Sequence, residues 1–136
     1  MSMLSPLEKE TLRAAARAAV ERAYAPYSKY RVGAALLLES GEVVTGCNIE
    51  NASYGLSVCG ERSAVFAAVS QGHRNFKAIA VAADGDLPWP CGACRQVLNE
   101  FAPDIPVIVE SGDGRVLEST LPELLPHSFR LQDKET

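Results

Sequence analysis

Three cysteines and one glutamate carry the clearest chemical signal in the sequence. Cys91 and Cys94 form a Cys-x-x-Cys pair. That spacing puts both thiols on the first turn of a helix, where they can clamp a metal ion or cycle through a disulfide. Cys59 lies two residues before Glu61, at the start of another helical stretch. Unsatisfied N–H groups at a helix N-terminus favour the thiolate, the form that binds metal. Two helices meeting end to end across a sheet would bring the three sulfurs to one point. Three protein ligands on Zn2+ leave a fourth position for water, as in a catalytic site and not a closed structural one. Glu61, on the first helical turn, would stand beside the ion without binding it and could take a proton from that water. Its plainer alternative is a carboxylate that complements the helix dipole. Three thiolates leave the ion with one net negative charge, so a cation should offset it. Arg62 and Arg95 each follow a motif residue. Of the two, Arg62 is favoured, with hydrogen bonds to cysteine sulfur; Arg95 can equally be a solvated surface arginine.

The elements that must position these residues can be read from pattern. Ser5-Pro6-Leu7-Glu8 is a capping box with proline at the first helical position. The helix it opens has an apolar stripe of Leu12, Ala15, Ala16, Ala19, Val20 and Ala23 and should stop before Pro26. Val32 to Leu38 and Val43 to Cys47 flank Glu39-Ser40-Gly41-Glu42 and form an antiparallel hairpin. Asn48 to Val58 has loop composition. A helix from Glu61 to Val69 follows, then a buried strand from Ala78 to Ala83. The Gly/Pro/Asp loop from Asp84 to Pro90 holds the only tryptophan and delivers the chain to Cys91. A helix over Gly92 to Phe101, strands over Ile105 to Val109 and Arg115 to Thr120, and a helical turn at Leu121 to Leu125 complete the chain. Residues 131–136 form a polar tail. This order predicts one α/β domain over residues 1–136, a three-layer α-β-α sandwich with a mixed, roughly five-stranded sheet.

Composition narrows the partners. The chain has 136 residues, 47% apolar and 22% charged, within the range of one globular domain. No apolar run reaches the roughly 20 residues of a membrane span, and the N-terminus lacks signal-peptide character. A cytoplasmic protein without membrane partners is expected. The net charge of −4, with no basic cluster, disfavours nucleic acid and fits a small neutral substrate. Cys47 reads as a small buried residue at a strand end.

Cys59-Gly60-Glu61-Arg62 and Pro90-Cys91-Gly92-Ala93-Cys94-Arg95-Gln96 resemble the three-cysteine form of the zinc deaminase signature. Tyr24-Ala25-Pro26-Tyr27-Ser28-Lys29-Tyr30, Gly46 to Tyr54 and Glu123-Leu124-Leu125-Pro126 are similar to segments of the small homotetrameric cytidine deaminases. The resemblance covers nearly the whole chain. It implies Cys59, Cys91 and Cys94 as ligands of one Zn2+ per subunit, Glu61 as catalytic proton shuttle and Arg62 as support for the sulfurs. It also implies that Asn48 and Glu50 hold the sugar 3′-hydroxyl, Tyr30 flanks the nucleoside and the Gly60 N–H meets the 2-oxo group. A carboxylate at the sugar accepts from a hydroxyl and repels phosphate, which favours free nucleosides. Ala52, Tyr54 and Phe129 would reach a neighbouring subunit's ligand in a homotetramer with shared sites. The implied reaction is hydrolytic deamination of cytidine or deoxycytidine in pyrimidine salvage. Two departures stand out: Gly60 where alanine is common, and His127-Ser128 in place of a small pair before Phe129.

Three other readings remain open on the residues alone. A blasticidin S type deaminase shares the Cys-x-Glu and Pro-Cys-x-x-Cys-Arg-Gln patterns. Cys47 could join the other cysteines in a closed, non-catalytic zinc module. The Cys91–Cys94 pair could instead be redox-active.

Overall fold

A computed structural model describes residues 4–131, so most of the expected polar tail lies outside the described residues. The elements are α1 (Pro6–Val20), β1 (Val32–Leu38), β2 (Val43–Cys47), α2 (Gly60–Ser70), β3 (Phe76–Ala83), α3 (Gly92–Phe101), β4 (Pro106–Glu110), β5 (Val116–Thr120) and α4 (Leu121–Leu124). A short 3-10 turn spans Tyr54–Leu56.

The strands form one sheet in the order β2-β1-β3-β4-β5. All neighbours are antiparallel except β3 and β4, which are parallel and joined through α3. A parallel pair needs such a crossover, and the helix it inserts is the one that carries Cys91 and Cys94. Along β1 the side chains alternate between two cores. Ala34, Leu36 and Leu38 join Ile79, Val81, Val107, Ala64 and Leu98 on the α2/α3 side. Ala35 and Leu37 join Ala78, Ala80, Ala82 and Ile108 against Leu12, Ala16 and Val20 of α1. The predicted three-layer sandwich is therefore the observed one, and β1 and β3 read as continuous apolar runs because both their faces are covered.

At its start α1 follows the prediction. Ser5 Oγ accepts from the Glu8 N–H at 3.0 Å, and Glu8 accepts from the Ser5 N–H at 2.9 Å. The helix stops before Pro26 as expected, at Val20, so that Ala23 of the expected stripe lies beyond it. The Tyr24 N–H donates to the Asn48 carbonyl and the Tyr24 carbonyl accepts from the Glu50 N–H, both at 2.9 Å. That tertiary bridge draws the backbone out of the helix, and it also disciplines the Asn48 to Val58 segment, where Ile49 pairs with Val58 as well.

Gly46 on β2 lets α2 approach closely. A Cβ there would lie 2.3 Å from the Ala64 nitrogen and 2.8 Å from the Gly60 carbonyl oxygen. The first turn of α2 thus rests directly on strand backbone, and its position is fixed to the sheet.

Candidate active site

Cys59 is the N-cap of α2 and Cys91 the N-cap of α3, with Cys94 three residues further in the first turn. Neither cap thiol is spent on a side-chain capping bond. The sulfurs turn toward one another instead: Cys59 to Cys91 is 3.9 Å and Cys91 to Cys94 is 3.5 Å. All three lie within 4.8 Å of one another. Tetrahedral zinc with bonds of about 2.3 Å requires sulfurs about 3.8 Å apart. The donor set therefore fits Zn2+, and among the described residues the cluster consists of these three cysteines without Cys47. Cys47 is partly exposed at the end of β2, which corrects the expectation that it is buried.

Charge at the cluster is arranged as the sequence suggested. The Arg62 Nη2 donates to Cys59 Sγ at 3.4 Å. The Cys94 thiol, as hydrogen-bond donor, pulls the Cys59 pKa down, and Arg62 adds to that. Arg95 has a different task. Its Nε donates to the Pro90 carbonyl at 2.6 Å and its Nη1 to the Leu124 carbonyl at 2.7 Å. It is a partly buried tie between the approach to Cys91 and α4, which replaces the reading as a solvated arginine.

Glu61 is 5% exposed. Burial pushes its carboxyl up to about 7, with the Cys59 charge adding to the rise and Arg62 opposing it. A carboxyl with that affinity for protons can both accept and return one near neutral pH.

A cavity of about 350 Å3 opens over this cluster, small for a ligand site. Cys59, Gly60, Glu61 and Cys91 line one end; Cys94 is fully buried behind them. Gly60 is the first residue of α2, so its N–H has no acceptor within the helix. Asn48, Glu50 and Ser28 line the other end, with Tyr30 and Val32 between. The Asn48 Oδ1 accepts from the Val32 N–H at 2.9 Å and its Nδ2 donates to the Tyr30 carbonyl at 2.8 Å. Glu50 accepts from the Tyr27 N–H at 2.9 Å, the Ser28 N–H at 3.1 Å and the Ser28 hydroxyl. Both side chains are held rigidly, and each retains acceptor or donor capacity for a ligand.

Tyr54 and Phe129 do not join this cavity. Tyr54 is 73% exposed and lines a neighbouring hollow with Tyr27, against which its ring packs at 5.9 Å. Ala52 is likewise exposed on the same loop. Phe129 is 67% exposed. Its carbonyl accepts from Gln96 Nε2 at 3.2 Å and Asn99 Nδ2 at 3.3 Å, which straps the C-terminal segment to α3. His127 in that strap has a left-handed φ of 54°. Sequence reasoning missed Ser28 and the wall formed by Leu87, Pro88 and Trp89. Only the lone tryptophan two residues before Cys91 gave a signal for that wall.

Comparison with known proteins agrees with this geometry. Residues 7–110 match the profile of the family described as the cytidine and deoxycytidylate deaminase zinc-binding region. The chain belongs to this family. It is 50% identical to a cytidine deaminase of Sporosarcina psychrophila over 129 residues, 93% of this chain and 95% of that one. A solved cytidine deaminase from Burkholderia pseudomallei superposes with a TM-score of 0.85 at 48% identity, over 88% of this chain and 98% of that one. A blasticidin-S deaminase from Bacillus cereus is 32% identical, over 75% and 79% of the two chains. The family and the three-sulfur cluster together make this a zinc enzyme of the three-cysteine type, with one Zn2+ per subunit.

Proposed function

We propose that this protein hydrolyses free cytidine and deoxycytidine to the uracil nucleosides and ammonia. The observation that carries the reading is the three-sulfur cluster with a buried glutamate, opening into a cavity whose far end presents Asn48 and Glu50. Bound zinc would supply Lewis-acid activation of water near neutral pH. The remaining work falls to the chain's own groups.

In this mechanism the pyrimidine lies with C4 toward the sulfurs and its sugar toward Asn48 and Glu50. The Gly60 N–H donates to the 2-oxo group, and Tyr30 flanks the nucleoside. Glu61 takes a proton from the attacking water and gives it to N3, which makes C4 electrophilic. The C4–O bond forms. Glu61 then moves the second proton to the exocyclic nitrogen, the C4–N bond breaks, and ammonia leaves with its electron pair. Asn48 and Glu50 hold the 3′-hydroxyl, and the Glu50 charge disfavours a phosphate in that position.

The rest of the reading follows the family pattern: one deaminase domain, working in pyrimidine salvage in the cytoplasm. It assembles as a homotetramer in which Ala52, Tyr54 and Phe129 of one subunit reach a neighbour's ligand. Their exposure in a single chain supports that role. Among the described residues no helix is long and apolar enough to cross a membrane.

An absorbance assay with cytidine, run with and without a zinc chelator beside metal analysis of the purified protein, tests the proposal. Turnover that disappears with the metal is expected. Stoichiometric zinc without cytidine turnover would refute the substrate assignment, and turnover of blasticidin S in preference to cytidine would replace it.

A further inference from the structure

The chain from Asp84 to Pro90 forms a second side of the cavity, and nothing in the reaction described above uses it. Its middle, Leu87-Pro88-Trp89, lines the cavity beside Cys91. Its ends are fastened. The Tyr30 hydroxyl donates to the Asp86 carbonyl at 2.6 Å. Arg95 Nε donates to the Pro90 carbonyl at 2.6 Å. One residue before the tyrosine tie, Gly85 accepts from the Gly112 N–H at 2.8 Å. Gly85 also lies under the Tyr30 ring, where an added Cβ would sit 3.0 to 3.1 Å from ring carbons. Between the ties the covalent chain is itself stiff. Pro88 and Pro90 are both buried and have fixed φ, and each restricts the residue before it, so Trp89 has little backbone freedom.

Resting on the reading that the ligand is a cytosine nucleoside, the chemistry of the base decides which edge meets this wall. C4 and N1 lie across the ring from each other, so placing C4 at the sulfurs and the sugar at Glu50 leaves two flanks. One flank, N3 and the 2-oxo group, is polar and belongs against Glu61 and the Gly60 N–H. The other, C5 and C6, carries only C–H. Among the lining residues, Leu87, Pro88 and Trp89 beside Cys91 offer leucine, proline and indole surface, which suits such a flank.

We propose that Trp89 is a specificity-determining residue that limits room at pyrimidine C5, and that Tyr30, through its bond to the Asp86 carbonyl, is a positioning residue for that wall. The backbone of this wall is tied at both ends and stiffened by two prolines, so it resists displacement by a 5-substituent, while the Trp89 side chain it carries is 36% exposed. The substrate class it admits is the cytosine nucleoside unsubstituted at C5.

The test compares kcat/KM for cytidine and 5-methylcytidine in the zinc-loaded wild type and variants. Trp89→Ala should shift the ratio toward 5-methylcytidine by about tenfold or more, the scale of one methyl group in a packed pocket. Trp89→Phe, which keeps an aromatic wall, should shift it less than about threefold, the smaller ring recovering only part of that methyl's room. Tyr30→Phe, which removes only the hydroxyl tie, should shift it in the same direction by up to about fivefold. A ratio unchanged in Trp89→Ala would overturn the proposal. A second readout does not depend on turnover. Trp89 is the only tryptophan, so uridine titrated into the wild-type protein should change its emission saturably, at the concentration at which uridine inhibits. Inhibition with unchanged emission would remove Trp89 from the ligand's surroundings and overturn the proposal even if Trp89→Ala fails to fold. Absence of any cytidine turnover by the wild type would instead overturn the substrate reading, and this inference with it.

Discussion

At one end of the cavity every chemical group stands at the start of a helix, Cys59 and Glu61 on α2, Cys91 and Cys94 on α3. At the other end Asn48, Glu50 and Ser28 stand on connecting segments joined by side-chain hydrogen bonds to backbone. The helix-borne end is placed by main-chain periodicity and by packing on the sheet. The loop-borne end is placed by individual polar contacts between segments far apart in sequence. The two ends should therefore fail differently: changes at the first should strike the chemical step or the fold, and changes at the second should strike substrate affinity.

The largest effect is expected from Glu61→Gln. The amide keeps the size of the side chain and loses its ability to carry a proton. We expect kcat to fall by about 10^2 to 10^4, with stoichiometric zinc and an unchanged melting temperature. Near-normal turnover in this variant would refute the proton-shuttle role and leave the glutamate a helix-dipole partner.

Next comes the seat of α2. In Gly46→Ala the new Cβ would meet backbone atoms of Ala64, Gly60 and Ser63 at 2.3 to 2.8 Å. Backbone cannot move aside as a flexible side chain can, so the first turn of α2 must lift from β2. Overpacking of this kind costs about 3 kcal/mol. Urea unfolding should show the loss, and the displaced Cys59 should lower zinc retention in the same preparation. A midpoint equal to that of the wild type would mean that this contact does not seat the helix.

The same contrast explains what the sequence disclosed. The cluster was legible because Cys-x-Glu and Cys-x-x-Cys report positions along a helix, and a helix converts spacing into direction. The hairpin, β3 and α3 were legible for the related reason that hydrophobic period and turn residues act locally. That α1 stops before Pro26 was legible, but its exact end at Val20, short of Ala23, was not, because the Tyr24 bridge to Asn48 and Glu50 depends on a segment more than 20 residues away. The tasks of Arg95 and Tyr30 were hidden for the same cause: each donates to a carbonyl oxygen, and a carbonyl has no residue type to betray it. Cys47 was read as buried from its strand, yet β2 is the sheet's edge and leaves it partly exposed.

At the loop-borne end, Glu50→Gln should raise KM for cytidine by about tenfold, the scale of one hydrogen bond to a charged group, while kcat falls by less than about threefold. Glu50 accepts from Tyr27 and Ser28, and an amide can keep only part of that set. Steady-state kinetics separates the two parameters. A loss confined to kcat would place Glu50 with the chemical machinery and erase the distinction between the two ends.

Gly60→Ala should have the smallest effect and sharpens the comparison most closely, because it adds the same methyl group to the same helix turn as the contacts of Gly46. Its Cβ would lie 3.3 Å from the Val32 carbonyl oxygen and 3.5 Å from Val32 Cγ1 and Cys47 Cα. These are snug distances that a shift of a few tenths of an ångström relieves. Alanine also restricts the unfolded chain, and where its backbone angles are compatible that is worth about 0.5 kcal/mol. The N–H that would meet the 2-oxo group is retained. We therefore expect a melting temperature higher by about 2 °C and a KM for cytidine within about twofold of the wild type, a change well below the tenfold worth of one hydrogen bond to a charged group. If KM instead rose tenfold, the approach of α2 to β1 would be as unforgiving at Gly60 as at Gly46. Glycine at position 60 would then be a requirement of this chain's packing, and not a substitution its fold merely tolerates.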